Sequence, residues 1–295
     1  MTRPIVTFIL ILLSSEVPAY EQSSFWDFHG YVEVGYDNDP IEHKKYDQRD
    51  GLAVGATGAY VGESGVAAIG SILYNFKYRE FDNAFVGVMY EGLSVTYGVQ
   101  SMMYDMYSEG DLTYGLGNHV LGRHLGGSVQ SNSAKIYYDY GKGSAGVSVG
   151  FGDDDIEHSR SIGLVHEIHP DLHISYTGIY TKGSIYGSDT IESESNLLTV
   201  LYLKRIYAIA LSRESLHIGP WYGTSTFTSG RYYFSPKLSG AASIAYRNGD
   251  GLNKVTTTIG TGYEILENLN VSGEYKQHYD LYTDSIFEFK IRYEL

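Results

Sequence analysis

Apolar and polar residues alternate along most of this chain with a period of two. In Trp26–Tyr36 one face holds Trp26, Phe28, Gly30, Val32, Val34 and Tyr36, and the other Asp27, His29 and Glu33. In Leu269–Asp280, Leu269, Val271, Gly273, Tyr275 and Tyr279 oppose Asn270, Ser272, Glu274, Lys276, His278 and Asp280, with Gln277 the exception on the apolar face. In Ile286–Leu295, Phe287, Phe289, Ile291, Tyr293 and Leu295 oppose Glu288, Lys290, Arg292 and Glu294. Successive side chains of a strand point to opposite faces. Each run therefore predicts a strand with one greasy face and one charged face. Runs and breaks predict sixteen strands, near 25–36, 51–61, 66–78, 83–90, 93–100, 133–140, 144–152, 159–167, 172–181, 195–203, 206–213, 221–234, 238–247, 254–265, 269–279 and 285–295. The least regular part is Asn196–Gly230, where both faces read as apolar or both as small, and fourteen strands is the alternative count.

A soluble sandwich also alternates. Two features favour a closed transmembrane antiparallel β-barrel instead. The runs are about ten residues long, the length a tilted strand needs to cross a bilayer. Tyr and Phe gather near strand ends, as aromatic girdles at two membrane interfaces require. Tight turns at Gly62–Gly65, Glu91-Gly92, Gly141–Gly143, His169–Asp171, Ser235–Lys237 and Leu266–Asn268 alternate with longer links at Asp37–Asp50, Ser101–Asn132, Gly183–Glu194 and Asn248–Asn253. Sixteen antiparallel strands leave an aqueous lumen, whereas eight fill with side chains. The stretch Ser101–Gln130 breaks the alternation. A structureless segment of about thirty residues is uncommon in a compact domain and usually functional or disordered. It mixes Asp105, Glu109 and Asp111 with Met102, Met103, Leu112, Tyr114, Leu116 and Leu121. That content predicts a loop packed into the barrel mouth, narrowing it.

Composition narrows the classes. The chain has 295 residues, no cysteine, 29 Tyr, 35 Gly and only 6 Pro. A disulfide scaffold and a thiolate metal site are excluded. A net charge of −14 argues against nucleic acid as a partner. At the N-terminus, Arg3, the apolar run Ile5–Leu13 and Val17-Pro18-Ala19 match a secretory signal peptide over residues 1–19, leaving residues 20–295 as the barrel domain. Nine apolar residues are too few for a spanning helix. The next most apolar stretch, Asn196–Ser212, is interrupted by Lys204-Arg205 and reads as two strands joined there.

At Asp82–Gln100 (DNAFVGVMYEGLSVTYGVQ) the chain resembles the general porins of Gram-negative outer membranes. Ala84, Phe85, Gly87, Gly98 and Gln100 match that family's strand–turn–strand pattern ahead of an inward-folded loop. Ser131–Tyr138 looks like its following strand, Phe28–Val34 like its first, and Tyr293-x-Leu295 like its closing signal with Leu in place of the terminal aromatic. The resemblance implies a trimeric sixteen-strand barrel passing small hydrophilic solutes and ions, in contact with lipid bilayer and lipopolysaccharide, without a cofactor. It also implies an eyelet in which loop acids face wall arginines. Here Asp105, Glu109 and Asp111 are the loop acids. The basic partners are thinner: Asp82 and Val99 stand where the family often has arginine. By parity Lys77, Arg79 and Lys135 are the candidate basic lumen residues, with Asp82 beside them and Arg123 within the loop.

A pore does no bond chemistry; width, lining and fixed charge set its selectivity. The carboxylate excess implies a mild cation preference. Two other readings stand beside it. A sugar-specific channel would need an aromatic track, and Trp26 and Trp221 fit a girdle as well. A barrel hydrolase would have ten or twelve strands; His158-Ser159-Arg160-Ser161 lacks the Asn-Gly expected of a phospholipase. Asp171-Leu172-His173 and Asp153–Asp155 offer only the spacing of an omptin-like protease. His166, His169 and His173 differ in strand parity and flank Pro170, so they do not predict a metal site.

Overall fold

The computed structural model describes residues 23–37, 47–76, 80–108, 112–113, 129–152, 156–184, 190–249, 252–279 and 285–294. The first half of the barrel is β1 (Ser23–Asp37), β2 (Asp47–Val61), β3 (Ala67–Asn75), β4 (Glu80–Tyr90), β5 (Leu93–Ser101), β6 (Val129–Asp139), β7 (Gly143–Gly150) and β8 (Ile156–His169). The second half is β9 (Leu172–Ser184), β10 (Thr190–Leu203), β11 (Tyr207–Ile218), β12 (Trp221–Tyr233), β13 (Leu238–Gly249), β14 (Leu252–Leu266), β15 (Leu269–Tyr279) and β16 (Ser285–Glu294). One short helix, α1 (Met103–Tyr107), follows β5. Every strand pairs antiparallel with its sequence neighbours. β16 closes on β1 from Tyr31↔Glu294 to Asp37↔Glu288. The sixteen-strand expectation holds, and the fourteen-strand alternative falls.

Closure explains why the alternation could be so strict. Inward positions are small and polar: Thr57 faces Ser71 across β2–β3 with hydroxyls 2.8 Å apart, and Thr199 faces Ser212 at the same distance. Outward positions are apolar and exposed, among them Val86, Val88, Val147, Val149, Ile244, Ile259, Phe287 and Ile291. No described helix is long and apolar enough to cross a membrane; the strands do it. Glu91 and Gly92 both take positive φ (46° and 81°), the two-residue turn whose twist matches paired strands. Asp171 in the β8–β9 turn binds the Lys204 ammonium of the neighbouring turn and holds its pKa above the ordinary value.

Several strands are longer than the sequence expectation; β10 begins at Thr190, where residue 195 was expected. β11 runs on to Ile218 where a connection was expected after residue 213, because Glu214 and Leu216 point inward and are buried. The ambiguous region Asn196–Gly230 resolves into β10, β11 and β12. Its inner face mixes Leu197, Ala208, Ala210, Leu216 and Phe227 with the buried polar Thr199, Ser212, Glu214, Ser225 and Ser229. Lys204-Arg205 form the expected turn. The signal-peptide region 1–19 lies outside the described residues.

An arginine on the outer face near the bilayer midplane of such a barrel costs about 2–4 kcal/mol. Ile244→Arg, outward on β13, is expected to lower stability by that amount. Denaturant unfolding of the protein refolded into liposomes measures it.

Candidate pore constriction

The segment after β5 leaves the wall and crosses the bore. Its departure point is pinned at Gln100, which accepts from Thr96 Oγ1 at 2.6 Å and donates to the Ser133 carbonyl at 3.1 Å. α1 then lies against β7, β8 and β9, with Met102, Met103 and Tyr104 fully buried. A helix start leaves amides without intrahelical partners. Here wall serines take two of them: Met103 N–H donates to Ser148 Oγ (2.9 Å) and Tyr104 N–H to Ser161 Oγ (3.1 Å). The two hydroxyls are themselves 2.7 Å apart.

Shape fixes the rest. A Cβ on Gly146 would fall 2.3 Å from Met103 Sδ, and one on Gly163 2.0 Å from Tyr107 Cδ2. These two glycines are sockets for the helix side chains. The Tyr104 ring fills a cluster with Ile179, Leu197, Phe227 and Ala245. Its hydroxyl donates to Glu214 Oε1 at 2.9 Å, and Ser195 donates to the same oxygen at 2.7 Å. Glu214 is fully buried, and Arg247 on β13 acts on it electrostatically. A buried carboxylate is tolerated only when it is hydrogen-bonded and offset by opposite charge, so this contact ties α1 to one position. The Tyr107 and Ser144 hydroxyls lie 2.7 Å apart, and burial raises the Tyr107 pKa, keeping it neutral. Farther on, Leu112 N–H donates to Ser229 Oγ at 3.1 Å. Arg231 on β12 donates to the carbonyls of Leu112 and Thr113, both at 2.8 Å. The segment therefore spans the inner wall from β5 to β12.

The remaining space lies toward the opposite wall. A cavity of about 340 Å³ has Thr113 and Arg231 on one side and Glu33, Lys290 and Arg292 on the other. On that wall Lys290 lies 3.2 Å from Glu288 and 3.8 Å from Glu33. Arg292 lies 3.5 Å from Glu33 and 3.3 Å from Glu294, and stacks 4.3 Å over the Tyr31 ring. The result is a ladder of alternating fixed charge along β16 and β1.

Of the expected site residues, Asp105 sits on α1, half-buried. Lys135 points inward as parity predicted, but its ammonium donates to the Ser101 carbonyl (3.1 Å) beside Met106 Sδ. It tethers the loop base. Asp82 accepts from Asn75 Nδ2 at 3.0 Å. Glu109, Asp111, Lys77, Arg79 and Arg123 lie outside the described residues. Sequence reasoning missed the β16–β1 ladder as a pore wall, although the Glu288, Lys290, Arg292, Glu294 alternation was its signal. The Tyr104–Glu214 contact had none, since it joins residues 110 apart. Among the described residues no group of His, Cys, Asp or Glu could hold a metal ion.

No protein-family model matches the chain, and no curated protein matches it in sequence. Solved structures do match in fold. OmpT of Vibrio cholerae with loop L8 deleted, an outer membrane protein, superposes with a TM-score of 0.79 at 16% identity over 92% of this chain and 99% of its own. Salmonella typhi OmpF in complex with daunomycin gives 0.74 at 14% over 92% and 97%. An anion-selective porin of Comamonas acidovorans gives 0.68 at 13% over 92% and 100%. At these identities the likeness establishes the fold: a general-porin, outer-membrane-type barrel.

Loss of the Tyr104 hydroxyl removes one donor from a buried carboxylate, costing about 1–3 kcal/mol of docking. Tyr104→Phe and Gly163→Ala are each expected to loosen the loop. The readout is more frequent brief closures in single-channel recordings than in the parent protein; quiet traces from both variants would contradict the docking described here.

Proposed function

We propose that this protein is an outer-membrane porin of a Gram-negative bacterium: a water-filled channel for passive diffusion of small hydrophilic solutes and ions. The observation that carries the reading is the division of surface. The outside is apolar, while the bore keeps a charged ladder facing an inserted loop. An apolar exterior is what hydrocarbon requires, and fixed charge beside water is what a polar diffusion path requires. Opposed carboxylates and cations set up a field across the passage that favours dipolar solutes over apolar ones.

The ladder carries three carboxylates (Glu33, Glu288, Glu294) to two cations (Lys290, Arg292), which supports a mild cation preference. Asp105, Glu109 and Asp111 on the loop would add to it. Lys77, Arg79, Asp82 and Lys135 remain the proposed groups on the β3–β6 side. Selectivity is not a property of the fold, since one similar barrel is described as anion-selective.

Export through a cleaved segment 1–19 fits this destination. Three like copies are the proposed assembly, since one similar structure is described as a trimer form. The sugar-channel reading loses support because so many tyrosines stand outward, including Tyr60, Tyr90, Tyr138, Tyr176, Tyr232, Tyr246 and Tyr275. The hydrolase reading expected ten or twelve strands, and the Asp171 of its Asp171-Leu172-His173 couple lies in the β8–β9 turn, bound to Lys204.

Reconstitution into planar bilayers tests the channel. Stepwise conductance rising with salt is expected, with a reversal potential in a salt gradient of the cation-preferring sign; no steps would end the porin reading. The double variant Lys290→Gln/Arg292→Gln is expected to move the reversal potential further toward the cation limit. A shift the other way would remove the ladder from the passage.

A further inference from the structure

Below α1 the bore wall is hollowed into a recess. A cavity of about 300 Å³ lies between the helix and the tight-turn rim of β6–β10, roofed by Met106 and Tyr107. On its loop side the helix is seated on the wall: Met103 takes the space over Gly146, and Tyr107 the space over Gly163. The recess is therefore blind toward the loop and opens beside Gly141 and Gly143 at the tight-turn end. The short turns of an outer-membrane barrel face the periplasm.

Its back wall is apolar. Val165 on β8 and Leu201 and Leu203 on β10 line it, and Leu203 is 37% exposed. On the same strands the inward positions nearer the loops are polar, among them Ser159, Ser161, Ser193 and Ser195. An apolar side chain on the outer wall meets hydrocarbon; one facing the bore meets water, and an apolar ligand relieves that contact. Tyr107 and Tyr137 line the recess as well, and tyrosine rings accept both an aryl group and an ammonium.

Its charge is unbalanced. Asp139 on β6 and Glu167 on β8 supply two carboxylates, against one ammonium, Lys142, on the exposed turn. Asp139 Oδ1 accepts from Gly141 N–H at 2.7 Å, which fixes it at the mouth. Glu167 is half-buried and faces His173 in the β8–β9 register. Among the described residues neither carboxylate has a cation within ion-pairing distance. A carboxylate partly removed from water attracts a cation more strongly than one in bulk solvent.

We infer that this recess binds amphipathic amines, with the protonated nitrogen at Glu167 and Asp139 and an aryl or alkyl body against Val165, Leu201 and Leu203. The volume is at the lower end for small-molecule sites, which suits one ring on a short alkylammonium. The inference rests on the channel reading above. The amine is held beneath the constriction, on the periplasmic side, and narrows the outlet while bound.

Block of single channels in planar bilayers tests it, with phenylbutylammonium as the probe. Phenylbutyrate keeps the apolar body and reverses the charge; tetramethylammonium keeps the charge and lacks the body. Phenylbutylammonium is expected to interrupt the current reversibly, and the two control ions to leave it steady. Glu167→Gln is expected to weaken the block about tenfold. Ser175→Trp fills the recess and leaves its carboxylates in place, and is expected to abolish the block. Either variant decides the matter if the other forms no channels. Glu157→Gln removes the same charge near the far end of β8 and is expected to be blocked like the parent. An unblocked parent, equally strong block by either control ion, or equal block of the parent and a recess variant would overturn the inference. A protein that forms no channel loses the porin reading itself; one that conducts but ignores the amine loses only this site.

Discussion

Hydrocarbon offers a peptide group nothing to bond with. Every backbone N–H and C=O at membrane depth must find its partner within the protein. That requirement, more than any side-chain contact, shapes this molecule. Sixteen strands satisfy one another pairwise, and the last pair, β1 with β16, removes the two edges that an open sheet would leave. Once the sheet is closed, each side chain has one of two destinations, lipid or bore. Sequence alternation follows from that choice.

Closure creates a second constraint. A sixteen-strand bore is wide, and part of it is filled by the segment after β5. The filling is specified in detail: wall serines take helix amides, Gly146 and Gly163 give room for Met103 and Tyr107, and Tyr104 reaches Glu214. The inner wall of β7, β8 and β9 is therefore a packing surface for α1. The charged ladder on β16 and β1 lines a cavity together with Thr113 of the loop.

That division explains what the sequence made legible. Period-two patterning was enough for strand count, antiparallel order and the inward loop, because nearly every strand separates lipid from bore. It was weakest over Asn196–Gly230, where Leu197 and Phe227 face inward and pack with Tyr104 of α1. There apolar character ceased to report direction. Parity pointed Lys135 inward but could not reveal that its ammonium donates to the Ser101 carbonyl. Side-chain identity fixes which face a group occupies; only the fold decides whether loop or water stands in front of it. The ladder at Lys290 and Arg292 was visible as alternation, yet that it shares a cavity with Thr113 of the loop could be read only from the fold.

The seam joins Glu33 to Arg292, which are 259 positions apart along the chain. Contacts so remote in sequence are slow to form. Until they do, the nascent sheet carries two raw margins ready to pair with any other extended polypeptide. Assembly of this barrel is thus a race between sealing itself and sticking to its neighbours, and escorts that shield both margins on the way to the bilayer would decide how many molecules win it.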